Sequence, residues 1–461
     1  MAGEGMFTDI PVEIGVVFEG ERIRKQSMHA ELGGPSVSEK FELLEVVPSG
    51  DITDGTVHLI GPDLADMEPG TVTPFAIHIR AAGASLEGDM ESVMERRIHD
   101  FCNWIEGFMH LNQRNAIWLR ADKRSVGKGL SLRHVGIVLA RLYKSALPII
   151  DEIEVTLITD PGEVRARYAR ALGIYEQRDA RSRGMTDEDV DVFYGCSLCQ
   201  SFAPSHVCVI TPQRYANCGA IGWLDGRAAA RVDPKGPIYE IPKGECLDPI
   251  AGEYEGVNLV VREKSLSDIS RVQLYTAFGY PHTSCGCFEC TTFYVPECDG
   301  LGIVNRDFRG STPTGLTFGT IADSTGGGRQ VEGFHGLSYE YMRSPRFLQG
   351  SGGWERVVWM PAAVRAQLKE YIPDGLRERI ATEEDVTSVE ALMDFLRSRE
   401  HPILSTREQA PAIPESVEQS PGRAVLPAKT GAGQNPGTGV VVTFRNVTIR
   451  ADRIFVNRKM P

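Results

Sequence analysis

No run in these 461 residues approaches the roughly 18 consecutive apolar positions that a membrane-spanning helix requires. The first twenty residues hold Glu4, Asp9 and Glu13 where a secretory leader needs an apolar stretch, so the expected location is the cytoplasm, with no membrane partner. Positive charge is also in deficit. Lys and Arg number 49 against 62 Asp and Glu, and the net charge of −13 disfavours nucleic acid as a main partner. An anionic ligand must then find a local basic patch. Cysteine is nearly missing outside one region, since nine of the ten lie between Cys196 and Cys298. In a reducing compartment such a cluster reads as thiols or metal ligands rather than disulfides.

The patterning points to an α+β protein: two mixed α/β domains, a proline-rich linker and a short β-rich tail. Apolar or alternating stretches at Val12 to Phe18, Pro74 to Ile79 and Glu152 to Ile158 read as strands. Ser131 opens a helix whose Leu132, Val135, Leu139 and Leu142 share one face. Asp160 and Pro161 start another, expected to run to about Tyr175. The polar stretch Gln177 to Glu188, with six charged residues, suggests a boundary between domains at 1–180 and 181–400. Thr387 and Glu390 form a capping box before a late helix. Residues 401–439 contain six prolines and no aromatic residue, which predicts a flexible linker. Residues 440–461 alternate apolar positions over short strands and carry five basic residues against Asp452, which suggests a docking tail.

Chemistry concentrates in two motifs. Cys196 and Cys199 form a C-x2-C pair, followed by Cys208 and Cys218. Four thiolates so spaced suit either zinc or a cubane iron–sulfur cluster. Sixty-seven residues beyond Cys218 come Cys285, Gly286, Cys287 and, three further, Cys290. Thiolates one residue apart do not easily share a tetrahedral ion through side chains alone. With the backbone nitrogens of Gly286 and Cys287 they form a square-planar S2N2 set, which suits nickel(II) or copper(II). Glycine between them removes the Cβ that would crowd so tight a chelate.

In these motifs, and over about residues 5 to 400, the sequence resembles the acetyl-CoA synthase subunit of carbon monoxide dehydrogenase/acetyl-CoA synthase complexes, called acetyl-CoA decarbonylase/synthase in methanogens. It begins where the middle domain of the longer bacterial members begins, as the short archaeal beta subunit does. The resemblance implies a 4Fe-4S cluster on Cys196, Cys199, Cys208 and Cys218, with Cys199 also bridging to a proximal nickel. It implies a distal nickel on Cys285 and Cys287 with the nitrogens of Gly286 and Cys287, the two sulfurs being shared with the proximal metal. The implied reaction is an acyl transfer that joins CO, coenzyme A and a methyl group from a methylated corrinoid iron–sulfur protein, or the reverse cleavage. The implied partners are that protein and the carbon monoxide dehydrogenase subunits. Phe202 matches an aromatic gate at the open metal face, or else is an ordinary core residue.

Coenzyme A needs a basic site. Between Asn112 and Lys144 eight basic residues stand against Asp122 alone, a local +7 around Gly127 to Gly129. Arg114, Trp118, Arg120, Lys123, Arg124, Lys128 and Arg133 are therefore the expected binding residues for its phosphates and adenine, unless the run is simply a solvated face. Cys102, Cys246, Cys290 and Cys298 are expected to be core thiols, His206 a loop residue or a donor to a metal ligand, and Gly326 to Gly336 a flexible turn. The rival to the enzyme is a non-catalytic iron–sulfur or zinc scaffold, or an electron-transfer subunit.

Overall fold

The structure is a computed structural model and describes residues 6–409. The expected docking tail and most of the expected linker lie outside the described residues. Strand Phe75–Ala82 shows how the first half is layered. Its Phe75, Ile77, Ile79 and Ala81 enter one apolar core and its Ala76 the other, the period-2 alternation of a strand covered on both faces. It lies between Lys40–Val46, parallel, and Glu152–Ile158, antiparallel, and Thr56–Ile60 completes the sheet alongside the latter. Helices Glu91–Asn103 and Leu132–Ala146 pack on one face and Pro161–Ala180 on the other. A second sheet runs Thr71–Thr73, Met28–Gly33, Trp118–Asp122, Phe108–Asn112 in spatial order.

The second half has a three-stranded antiparallel sheet of Cys208–Ile210, Val192–Cys196 and Ile238–Pro242. A four-stranded sheet orders Gly336–Leu337, Cys290–Val295, Gly300–Asn305 and Val357–Trp359. Helices beside several mixed sheets make the fold α+β, as the patterning predicts. Among the described residues no helix is long and apolar enough to cross a membrane.

Helix starts follow their caps: the Ser131 hydroxyl accepts from the His134 amide and the Asp160 carboxylate from that of Glu163. Four expectations are corrected. Val16–Phe18 is a single 3-10 turn instead of a strand, and it leaves Val16 and Val17 exposed. The late helix is capped one residue later than expected, by Ser388, whose hydroxyl accepts from the Ala391 amide. The linker does not begin at 401, because Pro402–Gln409 is helical, His401 is buried against the Val357 carbonyl and Ile403 enters the core. The helix from Pro161 runs on to Ala180, into the stretch read as a boundary. There the buried Arg178 donates to Glu91, Glu95 and the Leu44 carbonyl, while Arg183 reaches Glu340. Arg178, Arg181 and Arg183 meet acids from other elements, and all the described residues belong to one compact unit.

Asp187 closes this junction. It is fully buried, accepts from the Gln213 amide, and its own carbonyl receives the Lys243 ammonium. Burial pushes its carboxyl up to about 6. Between the ordinary carboxyl range and pH 6 the folded chain therefore holds a proton that the unfolded chain has lost, so stability falls as pH rises through that window. Urea unfolding from pH 4 to 7 should show a decline of up to about 3 kcal/mol from this group, and Asp187→Asn should flatten it.

Candidate metal centre

Two loops supply the chemistry. The first follows strand Val192–Cys196 and turns at once, with the Ala203 amide bonded to the Cys199 carbonyl, which directs Cys199 away from its neighbour Cys196. The second holds Cys285, Gly286 and Cys287. Gly286 has φ +128°, which a side-chain-bearing residue adopts only under strain, and the Cys287 amide folds back to donate to the Cys285 sulfur at 3.2 Å. This loop is clasped from outside: the amides of Gly327 and Gly328 donate to the carbonyls of Cys285 and Ser284, and the Gly336 amide to the Ser284 hydroxyl. Gly328 has φ +77°, and a Cβ there would lie 2.8 Å from the His206 backbone nitrogen. The glycine-rich segment expected to be a flexible turn is thus the brace of the cysteine loop.

The sulfurs of Cys199, Cys285 and Cys287 lie within 4.8 Å of one another, the one such cysteine, histidine or carboxylate trio among the described residues. Cys196 and Cys208 face each other across adjacent strands, and Cys218 joins them in a neighbouring apolar cluster. Cys199, Cys285 and Cys287 share a different one. The six predicted ligands therefore fall into two adjacent groups of three, with Cys199 linked to the first through the C-x2-C turn. Among the described residues, no set of four thiols is gathered for one zinc ion. A cubane, which holds each thiolate on a separate iron, suits the dispersed set of Cys196, Cys199, Cys208 and Cys218 better.

The charges are arranged for anionic sulfur. Hydrogen bonds from the Cys199 and Cys285 thiols hold Cys287 well below the usual thiol range, against burial, while Cys199 and Cys285 are pushed up. Burial pushes Cys208 up and Cys218 to about 11. Facing them is Arg96, a fully buried guanidinium that donates to Asp100 at 2.9 Å and approaches the Cys199 sulfur at 3.8 Å. Burial opposes its charge, but Asp100 and the thiols of Cys199, Cys287 and Cys218 outweigh that and hold it well above the usual range. Its place in the helix Glu91–Asn103, one hundred residues or more before the thiols it faces, carries no motif.

A cavity of about 740 Å3 opens over Cys285, Gly286 and Cys287. Phe202 lines it and is 44 % exposed, so it is no core residue. Of the expected coenzyme A residues only Trp118 lines this cavity. The others make their contacts elsewhere. Arg114 is buried on Asp179, at 2.8 and 2.9 Å, and Arg120 pairs with Glu31 at 2.8 Å. Lys123 donates to the Gln26 carbonyl, and Arg124 and Lys128 share Glu106. Arg133 lines a separate cavity of about 630 Å3 on the first sheet. The excess of +7 counted only acids near in sequence, whereas Glu31, Glu106 and Asp179 arrive from other elements. The cavity takes its cations elsewhere. Arg306 donates to Asn112 and to the Gly286 carbonyl, Arg309 stands 5.8 Å from the Trp118 ring centre, and Arg22 and Arg329 complete the wall.

Of the remaining thiols, Cys102, Cys290 and Cys298 are buried as expected. Cys246 is not, because its short strand lies exposed at the surface. His206 is buried, hydrogen-bonded to the Thr283 hydroxyl at 2.9 Å, and so is no solvent-facing loop residue.

The chain matches two family models, the beta subunit of the CO dehydrogenase/acetyl-CoA synthase complex over residues 10–164 and the C-terminal region of the ACS/CODH beta subunit over residues 175–409. It is 49 % identical to the acetyl-CoA decarbonylase/synthase complex subunit beta of Methanothermobacter thermautotrophicus, over 98 % of this chain and 100 % of that one. The same named subunit of Methanopyrus kandleri is 49 % identical over 98 % and 97 %. Subunit beta 2 of Methanosarcina thermophila is 45 % identical over 98 % and 99 %. The solved C-terminal domain of an acetyl-Coenzyme A synthase alpha subunit is 36 % identical over 26 % of this chain and 96 % of that one; its TM-score of 0.24 adds nothing about the fold. With near-complete coverage at about half identity, the chain belongs to the family of acetyl-CoA decarbonylase/synthase beta subunits.

Proposed function

We propose that this chain is the acyl-transferring catalytic subunit of such a complex, forming or cleaving acetyl-CoA from a methyl group, CO and coenzyme A. The observation that carries this reading is the trio of Cys199, Cys285 and Cys287 sulfurs, two of which line a large cavity whose wall carries Arg22, Arg306, Arg309 and Arg329 beside Glu19, Glu21 and Asp323. The donor set fits the implied centre. Cys196, Cys199, Cys208 and Cys218 would hold the 4Fe-4S cluster. Cys285 and Cys287, with the amide nitrogens of Gly286 and Cys287, would hold a distal nickel, and the three-sulfur trio a proximal one. When bound, that proximal metal supplies an open, electron-rich coordination site for a methyl group and CO.

The protein residues do the rest. Arg96 neutralises thiolate charge where water is excluded. Phe202 presents an apolar face beside the floor, suited to excluding water and large groups from the open position. Trp118 offers an aromatic surface for adenine, and Arg306, Arg309, Arg329 and Arg22 offer guanidinium forks for phosphates. The remaining partners are the methylated corrinoid iron–sulfur protein and the carbon monoxide dehydrogenase subunits, and the reaction is cytoplasmic.

Metal analysis of anaerobically purified protein should give about two nickel and four iron per chain; one zinc without nickel would identify the scaffold instead. Cys287→Ser should abolish CO/acetyl-CoA exchange and nickel binding while sparing most of the iron, and retained exchange would refute the assignment. Arg309→Ala should raise the KM for coenzyme A about tenfold with kcat little changed, while Arg124→Ala leaves both unchanged, as steady-state kinetics would show.

A further inference from the structure

From the cavity wall inward runs a chain of titratable groups that the metal centre does not use. His99 Nδ1 is 2.9 Å from His110 Nδ1, and His110 Nε2 is 2.6 Å from Glu42 Oε2. His99, partly exposed, and His110, buried, both line the cavity with Cys285 and Cys287, while Glu42 is fully buried behind them. The hydrogen bonds fix the direction of the chain. Glu42 accepts the Arg114 amide on its other oxygen, so its carboxylate acts as acceptor throughout. His110 then carries its hydrogen on Nε2 and accepts on Nδ1. His99 must donate from Nδ1, which leaves a lone pair on Nε2. Asn103, also on the cavity wall, holds that nitrogen at 3.2 Å and locks His110 through bonds to its carbonyl and amide.

We propose that His99 is the catalytic proton acceptor for the thiol of coenzyme A, and that His110 and Glu42 are positioning residues that draw the proton inward. The proposal rests on the functional reading above. An ordinary thiol is only a few per cent ionised at pH 7, and acetyl transfer to sulfur must dispose of its proton. As the thiol takes the place of the Asn103 amide, its S–H bond breaks, the electron pair stays on sulfur and a new N–H bond forms at His99 Nε2. The Nδ1 proton of His99 passes to His110 Nδ1, and the Nε2 proton of His110 passes to Glu42. The net change is thiol and carboxylate to thiolate and carboxylic acid, with no electron transferred. In acetyl-CoA cleavage the same steps run backwards and reprotonate the leaving thiolate.

The surroundings favour this role. Burial, then the Arg96 guanidinium, hold His99 well below the usual imidazole range, with Arg306 acting the same way and Cys287 opposing. Donation from Nδ1 to His110 and acceptance on Nε2 from the Asn103 amide are the bonds of a neutral imidazole, the form the step requires. Glu42 is the one carboxylate hydrogen-bonded into the chain among the described residues.

The test uses the metal-loaded enzyme and two steps measured side by side. CoA-dependent acetyl-CoA formation moves the thiol proton; methyl uptake from the corrinoid donor does not. His99→Gln should lower the first about 100-fold at pH 7, with the loss shrinking toward pH 8.5 as the thiol ionises unaided. Methyl uptake, nickel and iron should be retained. Glu42→Gln should give a smaller loss with the same pH trend. In nitrogen-15 spectra of the full chain, His99 should be the Nδ1–H tautomer and His110 the Nε2–H tautomer, both altered by Glu42→Gln. Equal loss of both steps, an unchanged pH profile, or the opposite tautomers would overturn the proposal. A wild-type enzyme with nickel but no acetyl-CoA formation would overturn the functional reading itself.

Discussion

Everything at this site depends on holding three cysteine sulfurs within 4.8 Å in a buried place. Thiolates so close repel one another, and burial makes each negative charge more costly. Three features offset this. The thiols hydrogen-bond among themselves, Arg96 stands in contact with Cys199, and a brace of glycine amides fixes the Cys285 loop. A metal would replace these partial solutions with direct bonds, and the thiol geometry is set up for that replacement.

The division of labour between the halves of the chain follows. The thiols come entirely from the second half. The cation that faces them, the imidazole beside them and the aromatic wall of Trp118 come from the first. The helix Glu91–Asn103 makes the connection. One side of it carries Met94, Ile98 and Phe101 into the core, while Arg96, His99 and Asn103 reach the site. Its position is secured by Arg178, whose ion pairs with Glu91 and Glu95 anchor it to the end of Pro161–Ala180. The charged stretch after Tyr175 thus links the two halves of one centre, through Arg178 to Glu91 and Glu95, Arg181 to Asp225 and Arg183 to Glu340.

Charge accounting changes for the same reason. The sequence between Asn112 and Lys144 looks like a cationic island, but strand pairing sets Arg120 against Glu31, and Glu106 meets Arg124 and Lys128. The arginines that line the cavity are a sparser set, Arg22, Arg306, Arg309 and Arg329, drawn from three separate loops and accompanied by Glu19, Glu21 and Asp323. In a chain of net charge −13, the charges gathered around one cavity matter more than a basic count along the sequence.

The sequence by itself determined many of the elements and singled out the cysteines. Helix starts at Ser131 and Asp160 were legible because capping is local, and the strand at Glu152–Ile158 because alternation is local. The cysteine spacings were legible because the C-x2-C and Cys-Gly-Cys chelates are short-range geometry. Phe202 was legible only through a family resemblance. The extent of Pro161–Ala180, the helical start of the supposed linker and the exposed turn at Val16–Phe18 were not, since each depends on partners far along the chain. Arg96, the Glu42–His110–His99 chain and the arginines of the cavity belong to the same class. A buried charge or a hydrogen-bonded imidazole has meaning only through what lies within about 4 Å of it, and only the tertiary structure decides that.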